Sequence, residues 1–231
     1  MVGGAGGGLR LVIFGAPGAG KGTQAAEIRR RVGLAHVATG DMLRAAIQEG
    51  TALGRRVKEI VERGGLVPDD VVGELVRRRL ERPDARDGFL LDGFPRTMGQ
   101  ARILDRILAE RGAAIDRVLN IVVDEAEILD RLSGRRTCDA CGRPFHVRLR
   151  PPRTADVCDA CGGELRQRED DTQEAISRRL RAYRDQTAPL IESYERRGLL
   201  TTIDGKGSPG EVYSRIEAAW TALRRRGHDH L

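Results

Sequence analysis

Between an apolar run at residues 9–14 and a helical stretch opening at Gln24 lies Gly15-Ala16-Pro17-Gly18-Ala19-Gly20-Lys21-Gly22-Thr23. No other segment limits the possible folds so strongly. Residues 9–14 are short, β-rich and run into glycine, as a buried parallel strand does. A strand turning through glycines into a helix matches the G-x4-G-K spacing of a phosphate-binding P-loop, in the context that gives that spacing meaning. The glycines let the backbone curl until several N–H groups face one phosphate, and the helix N-terminus adds the positive end of its dipole. Lys21 then offers a point charge to the β- and γ-phosphates. Gly22 departs from the motif: it stands where Ser or Thr usually holds Mg²⁺, and Thr23 comes one residue late. The metal is therefore expected on nucleotide phosphates and water, with acidic side chains behind. The competing reading is a glycine-rich turn without a ligand, and Lys21, Thr23 and the flanking strand and helix argue against it.

The rest of the chain continues the alternation. Strand-like runs recur at residues 88–92, 118–123 and 199–203. Ile103, Leu104, Ile107 and Leu108 share one helical face, as do Val212, Ile216, Ala219, Trp220 and Leu223. Strand, helix, strand at these spacings predicts an α/β fold, a P-loop NTPase-type parallel sheet flanked by helices. Two segments interrupt it. Residues 38–67 are helical, with Leu53, Val57, Ile60 and Val61 as a stripe, and add little strand; residues 134–171 are rich in Pro, Gly and Cys. The expected organisation is a core at 9–37, 68–133 and 172–231, with insertions at 38–67 and 134–171 and a flexible glycine-rich extension at 1–8.

Composition narrows the partner. The chain has 231 residues, enough for one sizeable core and small insertions, and carries a net charge of +6. An anionic partner suits that charge, but at 3% aromatic the chain is poor in stacking platforms for single strands. Its basic residues are also scattered. A phosphorylated small molecule fits better than nucleic acid. No apolar stretch reaches the roughly 18–20 residues of a membrane span, and residues 1–8 lack the charged start of a secretory signal. The expectation is a cytoplasmic protein, acting as a monomer.

That compartment bears on the four cysteines. Cys138-x2-Cys141 is followed by Cys158-x2-Cys161 at the ~15–20-residue interval of four-thiolate zinc sites. Gly142, Gly162 and Gly163 after the pairs suit tight turns that face backbone N–H groups to sulfur. Disulfides are the rival, and a reducing cytoplasm argues against them. Four protein ligands leave no open position, so the metal is expected to be structural. Iron or cobalt would suit the same thiolates. His146 could stray into the site but more naturally packs beside Phe145.

Gly-Ala-Pro-Gly-Ala-Gly-Lys-Gly-Thr-Gln (15–24), Thr-Gly-Asp-Met-Leu-Arg (39–44) and Leu-Leu-Asp-Gly-Phe-Pro-Arg-Thr-Met-Gly-Gln (90–100) together resemble the adenylate kinases. Gly-Arg-Arg (134–136) and Asp-Asp (170–171) extend the likeness over residues 9–226. The resemblance implies Mg²⁺-dependent phosphoryl transfer, ATP and AMP giving two ADP, with residues 38–67 clamping AMP and residues 134–171 as a zinc-stapled lid. It puts Gly18, Ala19, Gly20, Lys21, Gly22, Thr23, Arg131, Arg135, Pro144, Phe145 and Gly207 at ATP. Around AMP it puts Thr39, Arg44, Gly65, Leu66, Val67, Gly93, Phe94, Pro95, Arg96, Gln100, Arg168 and Arg179. Asp92 would hold Mg²⁺ through water. Lys21, Arg96, Arg135, Arg168 and Arg179 would carry catalysis, by charge rather than by a general base, because the attacking phosphate oxygen is already ionised. The metal would sit on Cys138, Cys141, Cys158 and Cys161. A kinase for UMP or CMP, or one taking GTP as donor, is the near alternative, and Thr39 favours AMP by resemblance. A zinc-ribbon nucleic-acid binder is the distant one, and residues 134–171 lack its basic–aromatic interleaving.

Overall fold

The computed structural model describes residues 8–86 and 88–228, with residues 221–228 as backbone only. The expected N-terminal extension, apart from Gly8, and the side chain of Leu223 therefore lie outside the described residues. Strand β1 (Arg10–Phe14) explains why apolar runs became sheet. Val12 and Phe14 enter the core on one face, Leu11 and Ile13 the core on the other. A strand buried on both faces has no position that favours a polar side chain, hence the unbroken run. β3 (Phe89–Asp92) and β4 (Arg117–Val122) divide their side chains the same way.

With β2 (Ala35–Ala38) and β8 (Leu200–Asp204) these strands form a parallel five-stranded sheet, ordered β2-β3-β1-β4-β8. Strand β2 went unread in the sequence, since Ala-His-Val-Ala is short and barely apolar. Helices α1 (Lys21–Val32) and α9 (Pro209–His228) cover one face through Ala25, Ile28, Val212, Tyr213 and Ile216. On the other face lie α4 (Asp69–Leu80), α5 (Met98–Ala109) and α8 (Ala188–Arg196), with Val76, Leu104, Ile107 and Leu190 essentially inaccessible.

The phosphate loop sits where β1 hands over to α1. Gly20 starts the helix at φ 94°, in the left-handed region that side chains rarely adopt. Gly15 lies so close to β4 that a β-carbon there would stand 2.6 Å from the Ile121 carbonyl oxygen. The loop is thus pressed against the C-terminal edge of the sheet, where open α/β sheets place their ligands.

Two excursions leave this core. Residues 38–67 form α2 (Thr39–Gln48) and α3 (Ala52–Glu62), and Val57 carries the expected stripe into the core. After α6 (Glu125–Ser133), strands β5 (Arg135–Cys138), β6 (Pro144–His146) and β7 (Leu165–Arg166) make a separate antiparallel sheet. The chain returns through α7 (Gln173–Ala182) and a π-helical turn, Tyr183–Thr187, into α8.

Candidate active site

Lys21 occupies the mouth of the loop, its Nζ donating to the carbonyls of Gly15 and Ala16 at 2.8 and 2.9 Å. Burial, aided by the charges of Arg96, Arg179 and Arg135, lowers its pKa to about 8, and Asp92 opposes the shift. Lys21, Leu66, Gly93, Pro95, Arg96 and Arg179 line one cleft, joined by Tyr183 and Thr187 of the π-helical turn.

The lowered pKa yields a prediction. An anion in the cleft favours charged Lys21, so nucleotide affinity is full below pH 8 and falls as pH rises through about 8. Above that pH, binding ATP takes up a proton, which calorimetry in buffers of different ionisation enthalpy would register. Stability of the free protein has the opposite sign. Lys21 charged in the cleft is unfavourable below about 8, and that penalty is relieved between about 8 and the ordinary 10.5. A flat affinity profile from pH 7 to 9.5 would contradict this account.

Asp92 ends β3, and its Oδ2 lies 3.7 Å from where a β-carbon of Gly22 would be. The carboxylate therefore faces the gap left by the missing Ser or Thr. The next helix is capped by Thr97 instead, so Asp92 is not a helix cap. Burial works against ionising Asp92, but a hydrogen bond from His36 and the charges of Lys21 and Arg96 outweigh it and hold the carboxyl below its usual range. His36 Nε2 stands 3.4 Å from Asp92 Oδ2. It reaches there from β2, which explains why the sequence reading missed it.

The arginines are held by two buried aspartates. Arg135 forks onto Asp171, Nε to Oδ2 at 2.7 Å and a terminal nitrogen to Oδ1 at 2.5 Å. Arg179 donates to Asp171 Oδ1 at 2.8 Å and pairs with Asp170 at 3.1 Å. Asp171 is wholly inaccessible. Burial disfavours the Asp170 carboxylate, yet Arg179, Arg44, Arg135 and Arg168 keep its pKa low. Burial lowers Arg96 and Arg168 to about 10, with neighbouring arginines adding to it, and both stay charged at neutral pH. These side chains crowd like charge into one place, which Asp92, Asp170 and Asp171 offset in part and a polyanion would relieve further.

The remaining expected residues fall in three groups. Thr39, which opens α2, is buried and donates to the Gly93 carbonyl at 2.8 Å; Arg44 folds back onto Asp41 at 2.5 Å. Arg96 Nε donates to the Gly93 carbonyl at 2.9 Å, and Gln100 accepts from the Arg96 amide at 2.7 Å. Val67 and Phe94 are core residues, while Gly65 is exposed. Arg131 on α6 leans over the loop, donating to the carbonyls of Gly205 at 2.9 Å and Ala19 at 3.4 Å and pairing with Glu127. Gly207 lies in the connection from β8 to α9, and Arg168 donates to Thr137 at 2.9 Å. Pro144 is exposed and Phe145 is buried in the small core of residues 134–171; neither lines the cleft.

The four cysteines meet in that small core. Cys138 and Cys161 sulfurs are 3.5 Å apart, Cys141 and Cys158 sulfurs 3.6 Å, and all four lie within 4.8 Å of one another. A tetrahedral ion with arms of ~2.3 Å would set sulfur–sulfur edges of about 3.8 Å, so the set fits zinc. The separations exceed the ~2.05 Å of a disulfide. The Ala160 amide donates to Cys158 Sγ at 3.4 Å, the kind of contact a thiolate needs. His146 stays out of the cluster. Its Nδ1 accepts from the amides of Arg148 and Leu149 at 3.1 and 3.0 Å, so its Nε2 carries the proton and donates to the Asp130 carbonyl at 3.2 Å. Burial, then Arg136 and Arg131, lower its pKa.

A phosphate loop on a parallel sheet, a cationic cleft and two insertions in the core fit the class of P-loop nucleoside monophosphate phosphotransferases. The comparisons narrow it. A sequence profile described as adenylate kinase matches residues 13–199. Adenylate kinase of Caldicellulosiruptor saccharolyticus is 52% identical over 86% of this chain and 92% of its own. Those of Carboxydothermus hydrogenoformans and Desulfitobacterium hafniense are 51% and 50% identical, covering 91% and 96% of this chain and 99% and 100% of theirs. The chain belongs to the adenylate kinase family, and it is a phosphotransferase. Among the described residues, no helix is long and apolar enough to cross a membrane.

Proposed function

We propose that the enzyme catalyses reversible transfer of a phosphoryl group from ATP to AMP, giving two ADP, with Mg²⁺. The observation that carries this reading is the convergence of Lys21, Arg96 and Arg179 on one cleft at the phosphate loop, with the charge of Arg135 close enough to act on Lys21. A loose transition state spreads charge over the transferred oxygens, and fixed cations stabilise it without reorganising. The loop from Gly18 to Thr23, with Arg131, Arg135, Pro144, Phe145 and Gly207, takes ATP. Phe145 would act there through its backbone, since its ring is committed to the core around the cysteines. Thr39, Arg44, residues 65–67, residues 93–96, Gln100, Arg168 and Arg179 take AMP. The planar forks of Arg44 and Arg96 suit its phosphate.

Magnesium, entering with the nucleotide, would neutralise phosphate charge, and Asp92 is the carboxylate placed to hold its water ligands. Zinc on the four thiolates would serve structure alone. Residues 134–171 act as a lid that closes with residues 38–67 to exclude water, which would otherwise take the γ-phosphate. Four thiols in a metal-ready set suit a reducing cytoplasm, where we place the enzyme as a monomer. Coupled assays against AMP, GMP, CMP and UMP, with ATP and GTP as donors, test the substrate pair. AMP with ATP should dominate. Turnover of UMP equal to that of AMP would overturn the choice of acceptor while leaving phosphoryl transfer intact.

A further inference from the structure

Asp69 opens α4, just beyond the backbone of residues 65–67, and its carboxylate crosses to the start of α5. It accepts from Gln100 Nε2 at 3.0 Å and from Thr97 Oγ1, which lies 2.9 and 2.8 Å from its two oxygens. Thr97 in turn caps α5 by accepting from the Gln100 amide at 3.0 Å. Gly99 makes the seat: a β-carbon there would stand 2.1 Å from Asp69 Oδ2. A carboxylate is favoured at this place by the helix N-terminus.

Gln100 is almost fully buried, at 2% exposure, and bridges two partners of opposite kind. Its Oε1 accepts from the Arg96 amide at 2.7 Å and its Nε2 donates to Asp69. A backbone N–H can only donate, and a carboxylate can only accept. A flipped carboxamide would set donor against donor and acceptor against acceptor. The two partners therefore admit one orientation. Of the two N–H groups and two lone pairs of a carboxamide, one of each is engaged and one of each remains.

That orientation has a chemical consequence. The pairing edge of adenine sets an acceptor, N1, beside a donor, the 6-amino group. Hypoxanthine reverses both, with N1–H beside O6. A carboxamide locked one way matches one of these edges, whereas one free to flip serves either. We infer that Asp69 is a positioning residue which, by locking Gln100, makes the acceptor site select adenine over hypoxanthine. This rests on the reading above that Gln100 belongs to the AMP site, and it places Gln100 at the base of that nucleotide. Asp69 itself acts through Gln100 and does not touch the substrate.

The test is the ratio of kcat/KM for AMP to that for IMP, with ATP as donor, in Asp69→Asn, Asp69→Ala, Gln100→Ala and the double variant Asp69→Asn/Gln100→Ala. Asp69→Asn should lower the ratio by about tenfold, the discrimination one hydrogen bond typically carries, with KM for ATP unchanged. Gln100→Ala should lower it too, and the double variant should fall no further. Thr97→Ala removes the cap and one donor to Asp69 but leaves Gln100 Nε2 on the carboxylate, so it should lower the ratio less than Asp69→Asn does. If Gln100→Ala leaves the ratio intact, Gln100 is not at the base, and the inference falls with that reading. If Gln100→Ala lowers the ratio but Asp69→Asn does not, the inference alone is overturned. The same holds if Asp69→Asn changes only the melting temperature, which would make Asp69 a structural link between α4 and α5. Asp69→Asn is nearly isosteric and keeps the test available where Asp69→Ala does not fold.

Discussion

Replacing Arg135 with alanine is expected to lower kcat by about 10³-fold or more, while the protein stays folded. That loss corresponds to about 4 kcal/mol of transition-state stabilisation. The guanidinium lies at the start of β5, 20% exposed, and its charge is felt at Lys21. Folding should survive because Arg135 is not the sole partner of its aspartate. Arg179 remains 2.8 Å from Asp171 and 3.1 Å from Asp170. The stability cost should therefore stay below the roughly 3–5 kcal/mol of orphaning a buried charge. Arg135→Lys keeps the charge but loses the planar fork that meets both Asp171 oxygens. It should fall between parent and Arg135→Ala. Steady-state kinetics and a melting curve on each variant decide the matter. Activity near the parent's in Arg135→Ala would remove this residue from the catalytic set, and a collapsed fold would reassign it to structure.

Removing the metal proposed for residues 134–171 should have the second large effect, on order rather than chemistry. The buried cluster of residues 134–171 is Cys138, Phe145, Cys158 and Leu165, and two of those four belong to the four-cysteine set. Its strands are 4, 3 and 2 residues long. A segment of this size seldom folds on apolar burial alone, whereas structural zinc supplies about 10–16 kcal/mol of apparent binding energy in zinc-finger peptides. Metal analysis should find one zinc per chain. After chelation, or in Cys138→Ser, limited proteolysis should cut within residues 134–171, and kcat should fall as Arg135 and Arg168 lose their placement. The five-stranded sheet has its own two cores and should persist, giving a second, higher thermal transition. A metal-free protein with unchanged proteolysis and melting would end the idea of a metal staple.

How much of this was legible beforehand varies with distance along the chain. The apolar runs of β1, β3 and β4 showed themselves because each is buried on both faces. The run near residue 200 was placed within one residue of β8. The helical stripe of Leu104 and Ile107 marked the buried side of α5. Strand β2 was not legible, since its four residues gain their identity by pairing with β3. His36 therefore escaped notice, although it sits beside Asp92. Nothing in the local sequence marked Asp69, whose bond to Gln100 spans 31 positions. In a chain so rich in arginine, position alone also said little about which arginines meet; motif likeness singled out Arg96, Arg135, Arg168 and Arg179.

By itself the sequence determined the phosphate loop and the cysteine pairs. Both are local, depending on backbone conformations and spacings within a few consecutive residues, and glycine, lysine and cysteine at those positions leave few alternatives. Only the tertiary structure decided which charges share the cleft. Coulombic attraction and hydrogen bonds act over a few ångströms, and residues such as Arg135 and Asp171, 36 positions apart, come that close only when sheet, helices and lid segment are packed. The lowered pKa of Lys21, the pairing of Arg135 and Arg179 with buried aspartates, and the locked carboxamide of Gln100 all follow from that packing.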